Sequence, residues 1–345
     1  MSRIRSPLLI LLLALPFSGC VRSQNPAVEI SGTGEYLFCF WNVENLFDDK
    51  VDGYSHSPDR EFDSWFAEHP EIRRQKYDHL SEALTSLNGG RGPDILAIAE
   101  CESERAAELL RDALNSRLAN EADHYQHILF KDPNGGRHIA TAILTRLPVR
   151  ADRSRLLGRR QRILRATIEV NGHELTVIAS HWTSRVTEKE GDERKGHGRN
   201  DYADKIYGEF RAIYERDPAA DVLICGDFND TPDDDSVIRH LHATGDLDAV
   251  RGGFEPVLFD LFANKDPNEF GTHYHKRWYI FDQIVISPGL FDDKGWSCDP
   301  GSATVIRTLH KPNDRQKRPW SFGTPRHHDE GYSDHFPVTV RLRVQ

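Results

Sequence analysis

The chain has five cysteines, and no two of them stand in a CxxC spacing, which excludes a dithiol redox motif or a thiol-bound metal of the usual kind. Cys39 (LFCFW) and Cys225 (LICGD) fall inside apolar runs and read as small buried hydrophobes. Transmembrane character is also missing: Leu8 to Phe17 is strongly apolar but too short for a bilayer, which takes about 20 such residues. There is no internal repeat and no Pro/Gly/Ser-rich linker, so 345 residues suit one large α/β domain or two small ones. Positive charge is scarce. Lys and Arg number 44 against 54 acids, a formal charge of -10. Removing residues 1–19 takes away Arg3 and Arg5 and no acid, leaving 42 bases against 54 acids, or -12. A domain this acidic is no general-purpose polyanion binder, and any contact with nucleic acid must be local.

What is present begins with a leader. Arg3 and Arg5 form a positive n-region, Leu8 to Phe17 an apolar core, and the small residues Ser18 and Gly19 precede Cys20. The pattern resembles the lipobox of a bacterial lipoprotein, with Phe17 where leucine is usual. It implies a signal peptide over 1–19, a lipid on Cys20, a polar tether over 20–34 and a domain over 35–345. Val21, rather than Asp, follows the cysteine, and by resemblance to the sorting pattern this favours the outer membrane, with the domain in the periplasm or at the cell surface. An ordinary secretory signal cut near Gly19 is the alternative. Either way the protein is exported, a setting that permits a disulfide, although the spacing selects none.

Short apolar runs alternate with amphipathic stretches, an α/β pattern. Strands are predicted at 36–42, 94–99, 125–130, 139–145, 162–170, 173–180, 221–225, 280–286 and 336–344, and helices at 71–87, 103–119, 201–215 and 232–243. Asn171-Gly172 between two alternating runs predicts a hairpin, so the sheet system contains antiparallel pairs. Residues 48–70 read as a long polar, aromatic-dotted connection. Polar residues recur where strands end, the place where α/β scaffolds carry chemistry.

The stretch VLICGDFNDTPDDDS releases five aspartates after a short apolar run. Asp227 and Asn229 flank Phe228 at the strand end and leave it on one side. Thr231-Pro232 reads as N-cap and first helical residue, with Asp233, Asp234 and Asp235 solvated in the first turn. No Gly or distal Glu falls where a calcium-binding EF-hand loop needs it. Near the C-terminus, GYSDHFPVTVRLRV sets Asp334 and His335 just before the last strand, a carboxylate beside an imidazole. FWNVENLFD places Asn42 and Glu44 after an aromatic strand, and PDILAIAECES ends an apolar strand on Glu100, costly to bury without a partner or a cation. VIASHWTSR ends a strand on His181, with Arg185 one turn on. WYIFDQIVIS buries Asp282, which implies an imidazole or metal partner. Singly, each also fits a turn or a cap.

In this order, Asn42, Glu100, His181, Asp227/Asn229, Asp282 and Asp334/His335 resemble the motif set of the endonuclease/exonuclease/phosphatase family over about residues 36–344, with GDFN and SDH its most telling pieces. NVENLFD is similar to the bacterial branch. The resemblance implies a four-layer α/β sandwich: two mixed β-sheets face to face, helices outside. It also implies Mg²⁺- or Mn²⁺-dependent hydrolysis of a phosphate ester by in-line attack of water. Carried over residue by residue, Glu100, Asn42 and Asp334 would hold the metal, and Asp227 would orient and deprotonate the water. Asn229 would hold phosphate, and Asp282 would pair with His335. RHIATAILTR lacks the acidic residue of many members, so no carboxylate partner for His181 is evident.

Two basic segments stand out against the acidic background. Residues 153–165 carry six arginines, including Arg159 and Arg160, and residues 315–328 interleave bases with Trp320 and Phe322. Beside the site loops they suit a phosphate polymer. Arg185, Arg159, Arg160 and Trp320 are therefore expected to bind substrate, with nucleic acid favoured. A phospholipid hydrolase of sphingomyelinase type, an inositol-phosphate hydrolase, or a binding lipoprotein on the same scaffold are the alternatives. His273 and His275 (THYH) alternate on a strand and could face one metal, but two exposed strand histidines are the favoured reading. No protein partner is indicated, and a monomer is expected.

Overall fold

β1 (Glu35–Leu46) is apolar on both faces, with Phe38 and Phe40 turned to one side and Cys39 and Trp41 to the other. A strand of this kind must be covered twice. The computed structural model, which describes residues 34–133, 136–185, 196–252, 256–292 and 294–345, shows how. The leader, Cys20 and the tether up to residue 33 lie outside the described residues.

The chain continues through α1 (Ser57–Glu68) and α2 (Pro70–Thr85), each with proline in its first turn, where the missing N–H costs nothing. β2 (Ile95–Cys101) leads to α3 (Glu104–Arg117), capped by Ser103 Oγ, which accepts from the Ala106 amide at 3.0 Å. β3 (His127–Phe130) and β4 (Ala140–Thr145) follow. The chain then crosses to β5 (Arg155–Leu156), β6 (Arg162–Val170) and β7 (His173–His181). Asn171 and Gly172 join β6 to β7 with φ of 53° and 82°, the left-handed pair that a two-residue hairpin turn requires.

Next come α4 (Gly196–Tyr214), β8 (Asp221–Asp227), β9 (Ala243–Thr244), α5 (Leu247–Gly252), β10 (Leu258–Asp260) and α6 (Pro267–Phe270). A small hairpin of β11 (His273–His275) and β12 (Arg277–Tyr279) precedes β13 (Asp282–Ile286). β14 (Trp296–Val305), a second small hairpin of β15 (Gly323–Thr324) and β16 (His327–His328), and β17 (Val338–Val344) complete the chain.

Two mixed sheets result. One runs β14-β17-β1-β2-β4-β3 and the other β5-β6-β7-β8-β13-β10-β9. β1 pairs parallel with β2, and β7 with β8, while β17 and β13 run antiparallel to their neighbours. Phe38, Phe40 and Val340 of the first sheet meet Leu164, Val177 and Ile284 of the second in one core. The outer face of the first sheet is covered by Leu80 and Leu84 of α2 and by Leu110 and Leu114 of α3. Ile206 and Phe210 of α4 cover the second. These are the four layers expected.

Three expectations change. Residues 57–68 are helical rather than connection, because Asp59, Phe62, Asp63 and Phe66 repeat at helical spacing and are buried. The expected helix at 232–243 shrinks to one π-turn, Ser236–His240, and Leu241 then leads into β9. Asp234 is tied back to the Thr231 amide at 2.7 Å and to Arg185, while Asp233 and Asp235 stay exposed. β14 was not expected from WSCDPGSATV; it is an edge strand with a register shift between Asp299 and Thr304, where Pro300 costs no ladder bond. All four cysteines of the described residues are free, and Cys39 and Cys225 are buried as expected.

Candidate active site

Strand register builds the site. In the second sheet His181 stands opposite Asp227, and Asp227 opposite Asp282, so three adjacent strands present one polar row. In the first sheet Asn42 stands opposite Ala99, one residue before Glu100. The segment before β17 is fastened to both sheets. Trp41 Nε1 donates to the His335 carbonyl at 2.9 Å, and Ser333 Oγ donates to the Asn42 carbonyl at 2.6 Å. His335 Nδ1 lies 2.7 Å from Asp282 Oδ2. Between these ends opens a cavity of about 820 Å³ whose walls include Asn42, Glu100, His181, Asp227, Asn229 and Asp334. His335 lines it as well, and the fully buried Asp282 sits behind His335.

Electrostatics sorts these groups. Burial pushes Asp227 up to about 7, with Asp282 adding to the rise and His335, Asn42 and the Asn229 amide opposing it. Burial works against a charged His335, yet Asp282, Asp227 and Asp334 together hold it well above its ordinary value. The imidazolium is the form that fits here. His181 behaves oppositely: burial, then Arg162, His335 and Arg137, hold it well below its ordinary value. Its Nε2 lies 3.8 Å from Glu100 and 3.7 Å from Asp227, and its Nδ1 has no hydrogen-bond partner among the described residues. A neutral His181 can donate to or accept from an oxygen but is no strong acid.

Glu44, Asn45, Glu100 and Asn229 carry φ between 52° and 64°. A left-handed backbone at a non-glycine residue is held against a cost of about 1–3 kcal/mol, and such residues gather at functional sites. Asn229 is fixed by its amide, which donates to Asp227 Oδ1 at 2.9 Å, and by Nδ2, which donates to the Trp182 carbonyl at 3.2 Å. Glu44 faces away from the cavity. It accepts from the Phe322 amide at 2.7 Å and from Ser321 Oγ, and burial, reinforced by Asp334, pushes it up to about 8. The fully buried Lys76 donates to the Tyr332 carbonyl at 2.7 Å, and burial pulls it down to about 8 against the pull of Glu44 and Asp334. This pair pins residues 321–334 beneath the site.

The oxygen-rich wall of Glu100, Asp227 and Asp334 suits a hard divalent cation. Asn42 is turned otherwise. Its Nδ2 donates to Asp227 at 3.0 Å and to Glu100 at 3.4 Å, while its Oδ1 accepts the Glu44 amide at 3.0 Å. It spaces the two carboxylates, and its Oδ1, which has a second lone pair, is turned toward the Glu44 amide.

The expected substrate contacts divide. Arg160 lines the cavity, whereas Arg159 and Trp320 do not. Trp320 instead donates from Nε1 to the Asp329 carbonyl at 2.8 Å and packs edge-on to Tyr332. Arg185 lines the cavity but is committed to Asp230, Asp234 and the Asn229 carbonyl, so it clamps the 229–234 turn. Of the remaining arginines in 153–165, Arg153 pairs with Glu174 and Arg155 and Arg165 with Glu209, and Arg162 donates to the carbonyls of His181 and Trp182.

Three further residues join the cavity wall. His273 is not an exposed strand residue: its ring lies 4.5 Å from that of His335, and its Nδ1 is 3.0 Å from the Asp334 carbonyl. His275 is exposed but also lines the cavity. Arg137, three residues before β4, lines the cavity from the first sheet; its place ahead of HIATAILT is the available signal.

A cavity at the strand ends of a two-sheet sandwich, walled by carboxylates, imidazoles and guanidiniums, is the arrangement of a phosphodiesterase-type hydrolase. The chain belongs to the endonuclease/exonuclease/phosphatase family, whose model matches residues 37–344. Truncated Caenorhabditis elegans TDP2 is similar in structure, with TM-score 0.50 and 16% identity over 90% of this chain and 97% of that one. SmcL has TM-score 0.52 and 14% identity over 90% and 99%. A family protein from Bacteroides thetaiotaomicron has TM-score 0.52 and 14% identity over 90% and 98%. At these identities the likeness speaks for the fold. No curated protein sequence matches at a significant level. Members of the family use divalent metals.

Proposed function

We propose that the protein is an exported, lipid-anchored, Mg²⁺- or Mn²⁺-dependent phosphodiesterase that acts on nucleic acid. One observation carries the choice of substrate: the cavity that holds the carboxylates is walled by both cations and rings. Arg160 lies on it, with Arg137 and Arg162 beside it held by other partners, as do His273, Tyr279 and Phe281, the last two stacked at 4.8 Å. Cations meet successive phosphates and rings stack on bases. Among the described residues the large exposed hydrophobics are Val51 and Ile238, neither of them on the cavity wall, so a lipid-seeking rim finds no support there.

Glu100 and Asp334 would hold the metal, which supplies charge stabilisation at the phosphoryl and leaving-group oxygens when bound. Asp227, poised near neutrality, takes a proton from the attacking water. Asn229 Nδ2 and neutral His181 orient the phosphate. His335, kept charged by Asp282, faces the negative charge that grows during the displacement. Turnover assays of the purified protein on DNA, RNA, sphingomyelin and inositol phosphates test the reading. DNA or RNA cleavage supports it. Turnover of sphingomyelin or inositol phosphates alone assigns the site to the corresponding hydrolase instead, and no turnover of any leaves a binding lipoprotein.

A further inference from the structure

Glu100 is the strained member of the site, with φ of 64° at a residue that has neither the freedom of glycine nor the local hydrogen bond of asparagine. Something must hold it. Its Oε2 accepts the Asn45 amide at 2.9 Å. Asn45 is itself left-handed, at φ 53°, and its Oδ1 accepts from Arg137 Nη2 at 2.6 Å. Arg137 Nε donates to Asp59 Oδ1 at 2.7 Å, and the other oxygen of Asp59 accepts the His138 amide at 2.8 Å. Asp59 is fully buried in the first turn of α1. The chain Asp59–Arg137–Asn45–Glu100 thus runs unbroken from a helix to a carboxylate of the cavity, through a guanidinium fixed at two of its nitrogens. A forked, planar donor suits this bridging better than a lysine ammonium.

We infer that Arg137 is a positioning residue for the metal ligand Glu100, anchored by Asp59 and acting through Asn45. The inference rests on the reading of Glu100 as a metal ligand. Buried Asp59 is the stiff end: Arg137 and the His138 amide hold its carboxylate, with His56 Nδ1 3.8 Å away, and breaking one partner of a buried pair is costly. The Asn45 loop then sits where its amide meets Glu100. Supporting groups of this kind fix the orientation of a ligand, and their loss costs about 10–100-fold in metal affinity.

The test is Mn²⁺ binding to the purified protein, followed by the electron paramagnetic resonance signal of the free ion. Asn45→Gly keeps the backbone amide and the left-handed conformation but removes the acceptor for Arg137. It should weaken Mn²⁺ binding by about tenfold. Asn45→Asp, which retains an acceptor, should bind Mn²⁺ nearly as wild type does. Arg137→Met should match Asn45→Gly, and in the Arg137→Met background Asn45→Gly should cost nothing further. Should Arg137→Met fail to fold, the contrast between Asn45→Gly and Asn45→Asp still decides the matter. Wild-type affinity in Asn45→Gly, equal losses in Asn45→Gly and Asn45→Asp, or additive losses in the double variant overturn the inference. Glu100→Gln separates the two levels. Weak binding there confirms the ligand while the inference stands or falls on the Asn45 pair, whereas undiminished binding overturns the ligand assignment beneath it.

Discussion

His335 Nδ1 and Asp282 Oδ2 stand 2.7 Å apart across the interface between the two sheets, with Asp282 fully buried at the start of β13 and His335 three residues before β17. The second oxygen, Asp282 Oδ1, has no hydrogen-bond partner among the described residues. A carboxylate so placed is tolerable when the imidazole it touches is charged. His335→Ala should therefore lower kcat by about a hundredfold or more, and Asp282→Asn by a comparable factor. The double variant should be scarcely worse than either single one, since both remove the same charged group. Steady-state kinetics of the four proteins checks this; multiplying losses would show two independent roles.

The arginines of 153–165 divide into those that line the cavity and those that do not, and the division gives a salt prediction. Arg160 faces the cavity and Arg159 does not. If DNA is the substrate, Arg160→Ala should raise its Michaelis constant and reduce the slope against log salt concentration by about one. Arg159→Ala should leave both nearly unchanged. Equal effects of the two would mean that the polymer runs outside the cavity.

Asp260 offers a stability test away from the chemistry. It is buried, Oδ1 accepts the Phe262 amide at 2.8 Å, and Oδ2 has no partner among the described residues. Burial pushes it up to about 7. Because the folded value lies above the unfolded one, the native state holds the proton more tightly between about pH 4 and 7. This contribution to stability is full below that window and is lost as pH rises through it. Asp260→Asn should flatten that part of the urea-unfolding curve of stability against pH, by on the order of 4 kcal/mol at most. An unchanged slope would mean that the carboxyl is not buried as found.

Much of this was legible in the residues. Nine strands and three helices follow from apolar runs and their ends, because a strand covered on both faces reads as an unbroken hydrophobic stretch. Asn42, Glu100, His181, Asp227, Asn229, Asp282, Asp334 and His335 could be picked out because each ends or adjoins such a stretch. What stayed hidden depends on partners distant in the chain. Arg137 meets Asp59 across 78 positions, and His273 meets Asp334 across 61. The six arginines of 153–165 look alike in sequence, and only the fold shows Glu174 and Glu209 taking three of them. Trp320 reads as a substrate contact from its basic neighbours, but its indole N–H is taken up by the Asp329 carbonyl.

The anchor is a separate claim. Mass spectrometry of the mature protein should find Cys20 as the first residue with lipid on its sulfur. A mature N-terminus near Gly19 with Cys20 unmodified would make it a secreted protein without an anchor.

The central claim is that this cavity cleaves phosphodiesters in nucleic acid with a divalent cation held at Glu100. The most direct measurement is DNA cleavage by the purified wild-type protein and by Glu100→Gln across a Mg²⁺ titration, with EDTA as the blank. The account predicts wild-type cleavage that vanishes in EDTA and returns with Mg²⁺, and a Glu100→Gln protein that stays folded but is at least a hundredfold slower at limiting Mg²⁺. Cleavage that survives EDTA, or a Glu100→Gln variant that turns over like wild type at limiting Mg²⁺, would contradict it.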